Sequence, residues 1–277
     1  MKLTLEKDGR RYSFQTEKGM DLSISMNPKG PRAWFVEPVR IEPVRTEQFL
    51  GSVAEGGDVN FRDVYFNPHG HGTHTENVGH IIDTDVPVVR SIGSSHYMAK
   101  LVTVVLRRKD AMQGATQGVS QGASQDLPQD LSQNLETGAS QGDWVVNEES
   151  LMGMDLNVEV LIIRTKPNDH SKTNRQYSGT NFPYFTLGAM QRIVDGGVQH
   201  LLVDLPSVDR EEDGGALAAH HLFWNVPAEP NFQKTITELI YVPNEISDGN
   251  YVLNLQVSNF ANDAAPSRPM LFDLMEE

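Results

Sequence analysis

FTLGAMQRIVDGGVQHLLVD, residues 185–204, holds the first clear change of period in the chain. Phe185, Ala189, Met190, Ile193 and Val194 recur at helical spacing, and Gly196 and Gly197 predict the helix end. HLLVD, residues 200–204, then reads as a short apolar strand closing on an acid. Upstream, LNVEVLIIR (residues 156–164) reads as a buried strand. Downstream, residues 216–224 predict a helix opening just after two glycines, and TITELIYV (residues 235–242) a strand. Residues 251–257 predict another, with Tyr251, Leu253, Leu255 and Val257 on one face. Strand, helix, strand in this order implies an α/β domain. The N-terminal half is richer in β signals. Residues 2–5 alternate, Lys7-Asp8-Gly9 supplies a turn, and residues 86–89 and 100–107 are β-like. Residues 32–45, with Trp34, Phe35 and two Glu-Pro pairs, predict an extended, irregular path.

The 277 residues suffice for one domain, 1–277, with a sizeable core. Residues 110–143 interrupt it. Glutamine recurs there every fourth residue from Gln113 to Gln133, among Gly, Ala, Ser and Asp. Gly114, Gly118, Gly122 and Pro128 oppose a helix. We read this stretch as a polar, loosely ordered insertion without chemistry. The formal charge is −14, which repels phosphate backbones and anionic lipid. Nucleic-acid and membrane partners are therefore not expected. The chain has no cysteine, so any metal must be held by nitrogen and oxygen. The sequence offers no apolar leader and no run long enough to span a bilayer, so a cytoplasmic protein is expected.

NPHGHGTHTENVGHI, residues 67–81, concentrates four of the nine histidines around an acid. On a strand His74, Glu76 and His80 share a face, and His69 and His71 take the other. Gly70 and Gly72 permit backbone angles that bring those two inward as well. Imidazole with carboxylate suits Zn²⁺ or Mn²⁺. Far along the chain, Glu238 lies between the apolar Ile236 and Ile240 on one strand face. A carboxylate on a buried face requires a partner, a proton or a cation. His220 and His221 are adjacent on a predicted helix and cannot face the same way, so one is functional and the other incidental. Asp204 and Asp209 either orient ligand histidines or serve as turn formers, the turn role being slightly favoured. Trp34, Phe35, Phe182, Tyr184 and Trp224 either line a pocket or fill the core.

These residues resemble the metal-dependent cyclase family, which includes bacterial kynurenine formamidases and isatin hydrolases. Its hallmark, His-x-Gly-Thr-His-x-Asp-x-Pro-x-His, is similar to residues 70–80. A second motif, Asp-x-Pro-Ser-x-Asp, is matched at residues 204–209. A His-His pair at His220-His221 and a strand glutamate at Glu238 follow in the family's order. The chain departs from the pattern at three places: the first histidine falls on Gly70, the acid is Glu76, and the proline is Val78. The resemblance implies a swivelling β/β/α fold, usually oligomeric. It implies metal ligands at His74, Glu76, His220 and Glu238, completed by His69 or His71, with His80 as the acid–base residue. The chemistry implied is attack of hydroxide, generated from a cation-bound water, on the carbonyl of a small cyclic or N-acyl amide, lactam or ester. An arylformamidase is one version. The alternatives are a catalytically silent metal- or ligand-binding protein on this scaffold, and a dehydratase or true cyclase running the chemistry the other way.

Overall fold

The structure is a computed structural model that describes residues 1–7, 9–109 and 142–276. The glutamine repeat therefore lies outside the described residues, as does Asp8 of the expected turn. The flanks of the repeat meet, because Lys109 N donates to Asp143 O at 2.9 Å.

A nine-stranded sheet organises the chain. We label its strands β1 (Met20–Asp21), β2 (His74–Glu76), β3 (His96–Val105), β4 (Val160–Lys166), β5 (His200–Val203), β6 (Thr235–Glu238), β7 (Gly249–Asn254), β8 (Ala264–Pro266) and β9 (Met270–Asp273). Their order is β8-β2-β6-β5-β4-β3-β7-β9-β1. The central four, β6-β5-β4-β3, run parallel, and antiparallel strands extend both sides. This is the mixed α/β architecture that the strand–helix–strand pattern predicts. Both faces of the centre are covered, so the first four residues of β4, Val160–Ile163, are an unbroken apolar run rather than alternating. Leu161 and Ile163 pack with the helices, whereas Val160 and Ile162 pack against Leu101, Leu253 and Leu271. The hairpin Lys2–Lys7/Arg10–Gln15, with Met275–Glu276 as its third strand, forms a separate sheet that packs Phe14 against Val252 and Phe272 of the large one.

Two α-helices cover one face. Helix α1 (Leu187–Asp195) starts where Thr186 Oγ1 accepts from Ala189 N at 3.1 Å and ends at Gly196. Helix α2 (Ala218–Trp224) starts differently. The Asp209 carboxylate accepts from the backbone N–H groups of Ala219 (2.8 Å) and His220 (3.0 Å), satisfying amides that a helix start leaves free.

Several boundaries differ from expectation for local reasons. The strand expected over 156–164 begins at Val160, because the Asp155 side chain accepts from Asn157 N and holds a turn. The strand expected over 235–242 stops at Glu238, because Leu239 takes φ +52°. Residues 86–89 are not β: Val88–Ser91 form a 3-10 turn after Pro87, and Val88 N bonds to the Asn262 carbonyl. The strand expected over 251–257 spans Gly249–Asn254, with Val252 as buried as Leu253. Among the described residues no helix is long and apolar enough to cross a membrane.

Candidate metal centre

The site lies at the carboxyl end of the parallel strands, where open α/β sheets place ligands. Pairing of β2 with β6 sets His74 opposite Glu238 and Glu76 opposite Ile236. His74, Glu76 and Glu238 thus share the helix-covered face. Thr75 and Thr237 bond each other at 2.8 Å on the other. His74 is reached through Gly72, whose φ of +130° strains any side chain, and a Cβ there would lie 2.8 Å from Ile24 O. Helix α2 brings His220 to the same space. His221, one residue on, is half-buried outside the cluster.

Three imidazoles share one arrangement. His69 Nε2 bonds Asp263 Oδ2 (3.0 Å), His74 Nδ1 bonds Gly72 O (3.0 Å), and His220 Nδ1 bonds Asp209 Oδ2 (2.6 Å). The other nitrogen of each ring meets a carboxylate. His69 Nδ1 is 2.9 Å from Glu76 Oε2, His74 Nε2 is 3.5 Å from Glu238 Oε2, and His220 Nε2 is 3.1 Å from Glu76 Oε1 and 3.8 Å from Glu238 Oε1. Distance is not direction, however. His69 Nδ1, His74 Nε2 and Glu76 Oε2 are buried with no hydrogen-bond partner. Ligand atoms of these three residues all lie within 4.8 Å of one another.

Sequence parity fails for the two remaining histidines, because Pro68–Gly70 is a 3-10 turn rather than a strand. His69 therefore points into the cluster. His71 does not join it: its Nδ1 accepts from Asn67 N (2.8 Å) and its Nε2 donates to Glu37 O (2.6 Å). With both nitrogens engaged by backbone, His71, expected as the alternative to His69, stands outside the cluster that His69 joins. His80 stands at the edge, its ring 4.4 Å from that of His69 and its Nδ1 3.9 Å from Glu76 Oε2.

Charge in the cluster is concentrated. Burial disfavours the His69 cation, but Asp263 and Glu76 outweigh it and push its pKa up to about 10. Burial likewise opposes the His220 cation, and Asp209 and Glu76 prevail to raise it to about 10. Glu76 is held well below the usual carboxylate range despite complete burial, through His80, His220 and His69. Glu238 moves the other way: burial, then repulsion from Glu76, raise it against the pull of His74 and His220. Without a cation, protons on two imidazoles balance the carboxylates.

A cavity of about 280 Å³ opens onto His69, Glu76, His80, His220 and Glu238. Trp34 and Leu217 give it apolar walls, and Asn67 and Ser207 add polar ones. Trp34 (φ +60°) and Leu217 (φ +42°) hold left-handed backbone, which costs roughly 1–2 kcal/mol per residue. Trp34 packs edge-on against the buried Phe182. Trp224 is core and backs the His220 ring at 5.3 Å, Tyr184 bonds Asp143 and Lys109, and Phe35 is exposed. Of the two motif aspartates, Asp209 orients His220. Asp204 instead accepts from Lys172 Nζ (2.7 Å) and Thr165 N (2.9 Å) at the core. Asp263, whose carboxylate lies against His69 and His80, carries no sequence signal.

The family model described as "Putative cyclase" matches residues 20–210, more than half of the chain. The chain belongs to the cyclase family. The matched stretch covers the histidine segment and Asp209, and helix α2 with His220, strand β6 with Glu238, and Asp263 follow it. Solved structures agree on the cyclase-family fold. A potential metal-dependent hydrolase with cyclase activity is 14% identical with TM-score 0.57, covering 92% of this chain and 98% of the other. A predicted metal-dependent hydrolase from Bacillus stearothermophilus is 13% identical with TM-score 0.55, at the same coverages. Isatin hydrolase A from Labrenzia aggregata, bound to benzyl benzoate, is 11% identical with TM-score 0.56, covering 92% and 93%. A search of curated proteins finds no match to the sequence.

Proposed function

We propose that the chain is a metal-dependent hydrolase of a small cyclic or N-acyl substrate, an amide, lactam or ester, with Zn²⁺ or Mn²⁺ as its cofactor. One observation carries the reading. Each of three imidazoles, the buried His74 and His220 and the half-buried His69, commits one nitrogen to a protein acceptor and turns the other toward carboxylate oxygens. Metal-bound histidines are held this way. The unpartnered His69 Nδ1, His74 Nε2 and Glu76 Oε2 fit a divalent cation, since buried polar atoms without partners are costly. The mixed nitrogen and oxygen donors suit zinc or manganese.

His69, His74, Glu76, His220 and Glu238 would hold the ion. A divalent cation in such a site supplies Lewis acidity and brings the pKa of water close to neutrality. The residues do the rest. Asp209 fixes the His220 ring. The apolar Trp34 and Leu217 seat the substrate body and exclude water. His80, at the cavity edge, takes the proton from the attacking water and returns it to the leaving nitrogen or oxygen. Arylformamidase activity is one specific form of the proposal, supported by the motifs at residues 70–80 and 204–209 alone. A homo-oligomer acting on a small molecule is part of the same proposal. Exposed Ile41, Val64 and Tyr65 on the ribbon Arg40–Pro43/Arg62–Tyr65 support it.

The test is elemental analysis of the purified full chain, then turnover of isatin, N-formylaniline and small lactones with Zn²⁺ or Mn²⁺ added. Bound ion with turnover is expected. Tight ion binding with no turnover across the panel would make the chain a silent binding protein. Light scattering reads the oligomeric state in the same preparation.

A further inference from the structure

Asp263 belongs to none of the motifs above, yet it touches two residues of the centre. It lies immediately before β8, the strand that pairs with β2. Its carbonyl accepts from Asn77 N at 3.1 Å, and the neighbouring Asn262 carbonyl accepts from Val88 N at 2.9 Å. The segment is thereby tied to the backbone that carries His74 and Glu76. One oxygen, Oδ2, accepts from His69 Nε2 at 3.0 Å and stands 3.5 Å from His80 Nδ1. The rings of His69 and His80 lie 4.4 Å apart and 33° from parallel, so a single carboxylate serves both.

We infer that Asp263 is a positioning residue that sets the direction and tautomer of both His69 and His80. This rests on the reading of the cluster as a cation site with His80 as its acid–base group. Asp263 accepts the Nε2–H of His69, so Nδ1 is the nitrogen presented to Glu76. Its Oδ2, 3.5 Å from His80 Nδ1, draws the proton of that ring to Nδ1, so Nε2 is the nitrogen that accepts and releases a proton. Asp209 does the first of these things for His220, and the Gly72 carbonyl does it for His74. Asp263 thus completes the set of acceptors behind the three ligand imidazoles, and its Oδ2 links a ligand to the acid–base group from behind. A carboxylate behind an imidazole also raises its basicity as a ligand, and losing such a partner typically costs 10–100-fold in metal affinity or activity.

The experiment compares the full-length wild type with Asp263→Asn and Asp263→Glu. Zn²⁺ affinity is measured by competition with a chromophoric chelator, ion number per chain by elemental analysis, and folding by thermal melts. On whichever panel substrate turns over, kcat and KM are measured separately. Asp263→Asn should bind the same number of ions roughly tenfold or more weakly and lower kcat by a similar factor, with KM little changed. Asp263→Glu, which keeps the charge, should recover part of both. If Asp263→Asn melts early, Asp263→Ser replaces it in the same comparison. Loss of one ion per chain would make Asp263 a ligand and overturn the assignment. Unchanged affinity and kcat would overturn it as well. A wild type that binds neither Zn²⁺ nor Mn²⁺ defeats the metal reading itself. A wild type that binds while Asp263→Asn behaves identically defeats only the role given to Asp263.

Discussion

His74 and Glu238, separated by more than half of the chain, are direct cross-strand partners, and their side chains meet with Nε2 3.5 Å from Oε2. Register alone brings them together, because opposed residues in an antiparallel pair project to one face. Replacing either removes a donor. His74→Ala and Glu238→Gln should both lose bound metal by elemental analysis and lose turnover with it. Glu238→Gln should also stabilise the metal-free chain at neutral pH. The folded state raises the pKa of Glu238, so its ionised form opposes folding above the ordinary carboxylate range. Gln keeps an acceptor for Val208 N, which Glu238 Oε1 now takes at 3.1 Å. A Glu238→Gln protein that retains metal would remove Glu238 from the ligand set.

His69 and His71 separate by partner, not by position. His69→Ala should abolish metal binding and also lower the melting temperature, because it removes the partner of Asp263 Oδ2. His71→Ala should leave ion content intact and destabilise the fold, because it strips Asn67 N and Glu37 O of their buried partner. Paired metal analysis and melts of the two variants decide this, and the reverse pattern would return His71 to the site.

What the sequence disclosed follows from which forces are local. Helix α1 was legible because its apolar spacing and Gly196-Gly197 stop both lie within residues 185–197, and the Thr186 cap that the structure adds is just as local. The site motifs were legible because their spacing is short. The parity argument for His69 failed where Pro68 and Gly70 replace strand by a tight turn. The end of β6 was missed because the left-handed Leu239 is fixed by tertiary contacts, its N–H bonding Leu205 O. Asp263 gave no signal at all. It sits in an Asn-Asp-Ala-Ala run with no periodicity, and only the β8–β2 pairing brings it to the histidines.

The pH response of the metal-free chain has a definite sign. His69 and His220 are raised to about 10 in the folded state. An unfolded imidazole titrates near ~6.5. Each therefore contributes stability that is fully present below about pH 6.5 and is lost as pH rises through about 10. Chelator-treated protein should melt progressively lower across that window. Metal binding must displace these protons, so Zn²⁺ affinity should climb with pH over the same window and binding should release protons. Calorimetry in buffers of differing ionisation enthalpy counts them. A flat affinity profile would show that His69 and His220 are not ligands.

Lys172 and Asp204 form a buried ion pair at 2.7 Å, with Thr165 O and Oγ1 each 2.9 Å from the ammonium. Burial lowers the Lys172 pKa against the pull of Asp204. Lys172→Met leaves the Asp204 carboxylate buried without its counter-ion, a change that typically costs about 3–5 kcal/mol. The double variant with Asp204→Asn should lose less than the sum of the singles. Urea unfolding measures all three. Additive losses would mean that the pair is not coupled, contrary to its geometry.

His80 separates chemistry from binding. Its ring is partly exposed at the cavity, and its nearest carboxylate contact is with Asp263 rather than with Glu76 or Glu238. Its ring also has a ligand atom within 4.8 Å of those of Glu76 and His220, so metal content is the measurement that separates the two roles. His80→Gln should keep its metal by elemental analysis and retain KM, while kcat falls by about 10²–10⁴, the usual contribution of a positioned acid–base group. Loss of metal with loss of turnover would instead make His80 a donor. The proton would then have to be carried by another cavity group, and Glu238, whose pKa the fold already raises, is the one the geometry leaves.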